Sequence, residues 1–302
     1  MAYVSAAVSG HIYYYYGDIV PFTTLPSGGG GGGNAGDGAL NGAFTINASG
    51  EQVQFSQGNL QYQASTDTWQ FAEHQWDYVG NANSAISQTN SGWIDLFGWG
   101  TSGYSHGAVA YQPWSTSTNY SDYWVYGQSN YNLYDGNGQA DWGYNAISNG
   151  GNTENIGWRT LTQPEWNYVF NTRNTTSGIR YAKATVNGVN GVVLLPDNWT
   201  TATYALSNTN DSGANFTSNT ITADDWTNVL EANGAVFLPA AGSRRGASVY
   251  YAGSDGTYWS ALYSNSSYVY GLNFYSGGLN ASNGIDNRNV GHSVRLVRLA
   301  EN

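Results

Sequence analysis

The sequence predicts an α+β domain: two helices among short antiparallel strands and long structured loops, preceded by a short N-terminal segment. Three observations lead there. Two helix starts carry explicit capping signals. Several short runs alternate apolar and polar residues between turn signals. Residues 80–157 show neither periodicity, yet they are rich in Gly, Asn, Ser and aromatic residues, as a long structured loop would be.

In chain order, residues 1–27 form the N-terminal segment. Ala2 to Val8 is small and apolar, and Ile12 to Tyr16 favours a strand. The segment is too small to fold alone and is expected to attach the protein to a partner or pair across subunits. A six-glycine run, Gly28 to Gly33, makes residues 28–42 a flexible linker, or else a polyglycine segment packed against copies of itself. A ligand-binding domain is expected over residues 43–302. Its first strands read from Phe44-Thr45-Ile46, Val53-Gln54-Phe55, Leu60-Gln61-Tyr62 and Trp69-Gln70-Phe71.

Thr162-Gln163-Pro164-Glu165 is a capping box with Pro in the first turn, and Trp166, Val169 and Phe170 follow at helical spacing. Tyr181 to Val186, Asn187-Gly188 and Val192 to Pro196 predict a hairpin. Thr222-Ala223-Asp224-Asp225 opens the second helix, with Trp226, Val229 and Leu230 as its apolar stripe and Gly234 as its stop. Strands around Ala235–Leu238, Val269–Tyr275 and Ser293–Leu299 close the chain.

Composition narrows the function classes. The chain has 302 residues, 40% of them hydrophobic, with 25 Tyr and 12 Trp, so it can build a core despite having only 10% charged residues. The net charge is −11, and all nine basic residues lie at or after Arg159. An acidic front half repels phosphate backbones and anionic lipid, which argues against nucleic acid and membrane surfaces as partners. No apolar run is long enough for a membrane span, so no membrane insertion is expected. Cysteine is absent, which removes disulfides, thiolate metal sites and a Cys nucleophile. Met1 to Ser5 lacks the basic start of a secretory signal, and Tyr13 to Tyr16 interrupt the apolar run. A chain assembled in the cytoplasm, or one trimmed at its start, fits that pattern.

Residues 250–292 are the most informative stretch. They contain 7 Tyr, 7 Ser, 6 Asn and 7 Gly in 43 residues, with three charged residues and no Lys. This is the chemistry of an antibody paratope, where Tyr supplies rigid amphipathic area and Ser, Gly and Asn supply adaptable hydrogen bonding. The candidate ligand-binding residues are Tyr250, Tyr251, Tyr263, Asn265, Ser267, Tyr268, Asn273, Tyr275, Asn280, Ser282, Asn283 and Asn287. Leu272 and Phe274 alternate with Asn273 and Tyr275, so one strand face can enter the core while the other is exposed. Val269 is out of phase with Leu272, which predicts a kink or bulge at Gly271. Arg244, Arg245 and Arg288 are either contact residues or braces paired with acids such as Asp255 and Asp286. Arg295 and Arg298 are expected to be structural.

No catalytic constellation and no metal-ligand spacing emerges, and no cofactor is expected. Calcium remains an option at Gln163-Pro164-Glu165, where capping competes for the Glu, and at Asp197-Asn198-Trp199, where an Asx turn is the alternative. His11, His74, His106 and His292 are widely separated; His292 either contacts a ligand or packs. Glu73 with Asp77, or Asp224 with Asp225, would be the acid pair of a glycosidase, although the second pair sits where acids favour a helix dipole. An enzyme reading would make the Trp residues sugar platforms.

The phrases Gly157-Trp158-Arg159-Thr160-Leu161 before Glu165-Trp166, Val192 to Asp197, Phe237 to Gly242, Tyr258-Trp259-Ser260 and Gly291 to Arg298 resemble the C-type lectin fold. They are most similar to the formylglycine-generating-enzyme-like branch found in variable proteins of diversity-generating retroelements, over roughly residues 43–299. The resemblance implies a binding protein whose C-terminal surface is rewritten by adenine-directed mutagenesis while its framework holds. It also implies display, on a virion as a trimeric phage tail-tip receptor-binding protein or on a bacterial surface as an adhesin. The partner would be a host cell-surface protein or glycan. Formylglycine-generating activity itself needs cysteines, and this chain has none.

Overall fold

The computed structural model describes residues 4–8, 11–15, 37–104 and 112–300. The six-glycine run and His106 lie outside the described residues. The chain is a mixed α+β protein built mostly of small antiparallel sheets. Strands β1 (Val4–Val8) and β2 (His11–Tyr15) pair as an antiparallel hairpin. The packed domain begins ahead of residue 43, because Ala39 and Leu40, within the stretch read as linker, are buried.

Strands β3 (Phe44–Thr45) and β4 (Gln52–Phe55) start one sheet, and β5 (Leu60–Gln63), β6 (Thr68–Phe71) and β7 (Trp93–Ile94) form another. The long loop insertion that follows contains short 3-10 turns and buries its own Trp99, Val125, Leu133 and Trp142, which explains how it holds a shape without regular structure. Strand β8 (Arg159–Thr160) returns to the first sheet.

Helix α1 (Gln163–Asn167) carries the expected capping box: the Glu165 amide donates to Thr162 Oγ1 and the Thr162 amide to Glu165 Oε2. The helix widens into a π turn over Tyr168–Thr172, ended by Arg173. The predicted hairpin is present as β9 (Tyr181–Val186) and β10 (Val189–Leu194), with Asn187 at φ 48° and Gly188 at φ 79° in the left-handed region its turn requires. After β11 (Thr220–Ile221), helix α2 (Ala223–Asp225) is capped by Thr222 Oγ1, which accepts from the Asp225 amide, and its widened continuation ends at Gly234.

Strands β12 (Val236–Pro239), β13 (Ser243–Arg245) and β14 (Ser248–Tyr250) precede a three-stranded antiparallel sheet of β15 (Asp255–Tyr263), β16 (Tyr268–Tyr275) and β17 (Gly278–Asn287). The last segment, β18 (Val290–Gly291) to β19 (Leu296–Leu299), threads the domain together. Its His292 pairs with Phe97, its Ser293 with Tyr258, and β19 lies between β4 and β8.

Two cores meet at the three-stranded sheet. Tyr258, Leu272, Phe274 and Ala281 pack with Trp166, Val169 and Phe170 of the first helix. Trp259, Ala261 and Val269 pack instead with the insertion's Trp99, Val125 and Leu133. Val269 is therefore out of phase with Leu272 because each belongs to a different core. The expected irregularity is also present: the register shifts between Trp259 and Tyr263 on one side of β16, and between Gly271 and Asn273 on the other.

Asp197 forms neither the Asx hydrogen bond nor an open carboxylate. Its Oδ1 accepts from Arg173 at 2.8 Å, and its Oδ2 from the Thr45 amide, Thr45 Oγ1 and Gln52 Nε2. Glu165 is also engaged, clasped by both terminal nitrogens of Arg159. Arg295 and Arg298 are structural: Arg295 is buried and donates to Gln75, while Arg298 pairs with Asp37. No helix among the described residues is long and apolar enough to cross a membrane.

Candidate recognition surface

Cross-strand registers build the middle of the surface. Thr257, Asn273 and Asn280 lie side by side across the three strands, and Trp259, Gly271 and Gly284 form the adjacent row. With Asp286 they line an open concavity of about 410 Å³. The two glycines are required. A Cβ on Gly271 would lie 2.7 Å from the Tyr258 carbonyl oxygen, and one on Gly284 2.3 Å from that of Gly271. At these two positions the floor is bare backbone, and its polar rim comes from Asn273, whose Nδ2 donates to Thr257 Oγ1, and from Asn280.

One acid–imidazole pair borders this concavity. Asp286 Oδ2 lies 3.0 Å from His292 Nε2, and His292 is buried with its ring 4.5 Å from that of Trp259. His292 is thus a packing residue that positions an acid. Burial would raise the Asp286 carboxyl, but the hydrogen bond and charge of His292, the Asn287 amide and Arg245 together hold it below the usual carboxylate range.

The candidate residues fall into groups on this sheet and beside it. Asn273 and Asn280 reach the concavity. Tyr275 is exposed at one end, where the Asp255 amide, opposite it in the register, donates to the Tyr251 carbonyl. Tyr250 and Tyr251 are exposed with their rings 6.3 Å apart. Exposed Tyr268 stands opposite half-buried Asn287 near the other turn, beside Asn265 and Ser267.

Three candidates have internal tasks. Tyr263 is half-buried, with the Arg288 guanidinium 6.0 Å from its ring centre. Asn265 Oδ1 accepts from the Ser267 and Tyr268 amides and so shapes the turn. Ser282 faces the first helix, bonded to Gln163, Asn167 and Asn171. The Asn283 side chain lies outside the described residues.

Both ends of β16 are gripped from below by buried cations. Lys183 Nζ donates to the carbonyls of Tyr275 (2.6 Å), Gly278 (2.9 Å) and Ser212 (2.7 Å). Arg288 Nη2 donates to the carbonyls of Asn265 (2.8 Å) and Ser129 (2.6 Å), and its guanidinium lies 4.7 Å from the centre of the Trp99 ring. Arg244 is similarly buried and donates to the Leu96 and Gly246 carbonyls, whereas Arg245 is exposed. Arg244 and Arg288 therefore brace loops, the second of the two sequence expectations, and do so through backbone carbonyls. Burial draws Lys183 down to about 8, against the opposing pull of Asp211, so it is mostly protonated at neutral pH.

Lys183 gave no sequence signal, since a lone Lys in an alternating strand reads as a surface charge. Asp286 did stand out, as an acid amid Asn, Gly and Ser, and Gly271 and Gly284 interrupt apolar-polar alternation on facing strands. Among the described residues no group of three His, Asp or Glu converges to hold a metal ion.

The chain is similar over residues 166–297, from the first helix to the last strand, to a domain of unknown function (DUF8237). No curated protein and no solved structure matches it.

Proposed function

We propose that this protein is a non-enzymatic receptor-binding protein with a C-type lectin-like domain, displayed at a phage tail tip. Its C-terminal sheet surface is diversified to bind a host cell-surface protein or glycan. The observation that carries the reading is the way the sheet's turns are held. Lys183 and Arg288 grip carbonyl oxygens, which every residue type possesses. Side chains at Tyr268, Asn273, Tyr275, Asn280 and Asn287 can then change without removing those bonds, while Leu272 and Phe274 keep the opposite face in the core. The Tyr, Ser, Asn and Gly composition of this surface supports the same conclusion.

The test is a library in which those five codons carry Asn-type degeneracy, sorted separately for protease resistance and for adhesion to a panel of bacterial surfaces. Most members should stay folded while the bound surface changes with sequence. A mostly unfolded library, or adhesion indifferent to these positions, would overturn the reading. Reproducible turnover of polysaccharides would favour the enzyme instead. Neighbouring DNA should hold a reverse transcriptase and an adenine-rich near-copy of the codons for this region; their absence beside a surface-anchoring signal would favour a bacterial adhesin.

A further inference from the structure

We propose a second ligand site, separate from the sheet: a groove on the loop insertion that binds a neutral saccharide. Two open concavities adjoin there, of about 620 Å³ and about 410 Å³, and Tyr144 lines both. The larger is bordered by Asp67, Trp69, Tyr104, Gln139 and Glu154. The smaller is bordered by Tyr134, Asn137, Asn155 and Trp158.

The chemistry of the lining selects the ligand. A sugar ring presents an apolar C–H face and a rim of hydroxyls, each both donor and acceptor. Aromatic rings suit the face, and planar amides and carboxylates suit the rim. Tyr134 is half-exposed, and among the described residues the side chains of Tyr134, Gln139, Tyr144 and Glu154 form no internal hydrogen bond. Their polar atoms are free to meet hydroxyls.

Charge excludes acidic sugars. Residues 1–158 hold eleven acids and no Lys or Arg. Arg159, the one cation among the described residues lining either concavity, is clasped by Glu165 at 2.9 and 2.7 Å. A uronate, sialate or phosphate-bearing glycan would therefore meet the carboxylates of Asp67, Asp141 and Glu154 with no unengaged cation among the described lining residues.

The walls are already set. Asn145 Nδ2 donates to the Ser102 and Trp142 carbonyls, Trp142 Nε1 to that of Thr101, and Ser102 Oγ to that of Gln139. Such preorganisation lowers the ordering cost of binding a flexible oligosaccharide.

Calorimetric titration of the full-length protein tests the proposal, with maltohexaose, cellohexaose, chitohexaose and a mannohexaose as neutral probes. A hyaluronan hexamer and an oligogalacturonate are the acidic ones. A neutral probe should bind and the acidic ones should not. Tyr134→Ala and Glu154→Gln should each weaken that binding about tenfold or more, while Tyr275→Ala on the sheet leaves it unchanged. Both substituted residues are exposed, and unchanged thermal unfolding checks that the fold survives. Failure of all four neutral probes, equal binding of the acidic ones, or loss caused by Tyr275→Ala but not Tyr134→Ala would overturn the site. Only the last of these outcomes bears on the sheet surface, to which it would move the saccharide; the others leave the sheet's own adhesion test untouched.

Discussion

Asp286 and His292 show how one side-chain pair gives the concavity a pH dependence. The Asp286 carboxyl lies below its unfolded value because its neighbours outweigh burial. A depressed acid contributes stability that is present above the unfolded pKa, near 3.9, and is lost as pH falls through the lower folded value. Asp286→Asn should therefore be less stable than the parent at pH 6, with the gap closing as pH falls below about 4; unfolding in urea across that range measures it. A gap that widens in acid would show that the pairing does not stabilise the ionised form. Exposed neighbours should behave differently. Tyr268→Ala and Tyr275→Ala should change stability by no more than about 0.5 kcal/mol and weaken target binding strongly. Trp259→Ala and Leu296→Ala empty fully buried positions and should cost roughly 2–5 kcal/mol. Tyr263 and Asn265 should fall between, at about 1–2 kcal/mol, because one packs beside Arg288 and the other ties its own turn. Thermal melts and adhesion assays on the same variants separate the groups; folding loss from the Tyr268 and Tyr275 substitutions with binding intact would make this surface core rather than contact.

At the level of elements, what the sequence disclosed was local. The Thr162 and Thr222 caps, the Asn187-Gly188 turn and the Leu272–Phe274 alternation each depend on residues a few positions apart, and each is present. What stayed hidden was long-range. Val269 belongs to a core supplied by residues more than a hundred positions earlier, and Lys183 holds a turn some ninety residues away. Neither relation leaves a periodic trace. Of the candidate surface, the exposed tyrosines and the asparagine row could be read from composition and alternation, while the buried cations beneath could not. Their importance can be measured. Lys183→Met leaves three carbonyls without their ammonium donor and should destabilise by roughly 2–4 kcal/mol, as unsatisfied buried polar groups do. Amides from Tyr268 to Asn287 should exchange faster in this variant, while those along the β10–β12 pairing keep their protection. Uniform acceleration throughout the domain would mean that Lys183 supports the whole fold rather than the turn.

At the scale of the whole molecule, a hairpin and a glycine run precede the packed domain. The β1–β2 hairpin pairs five residues on each strand, and a lone two-stranded hairpin is marginal in water. It gains stability most readily by joining copies of itself, and three linked domains would turn weak contacts into avid attachment on a repetitive surface. Among the described residues the domain's contacts begin at Asp37: its carboxylate holds Arg298, and the Gly38 carbonyl accepts from the Gln57 amide at 2.7 Å. A cut before Asp37 therefore keeps these bonds, whereas a cut after Gly38 removes both of them and the one from the Ala39 amide to the Asp37 carboxylate. Full-length protein should be a homotrimer at micromolar concentration by light scattering. The fragment from Asp37 onward should be a monomer that melts within a few degrees of the parent, since the three-stranded sheet, both cores and the buried cations all lie within it. A monomeric full-length chain would remove the avidity argument, and a fragment that stays trimeric would move the assembly interface onto the domain itself.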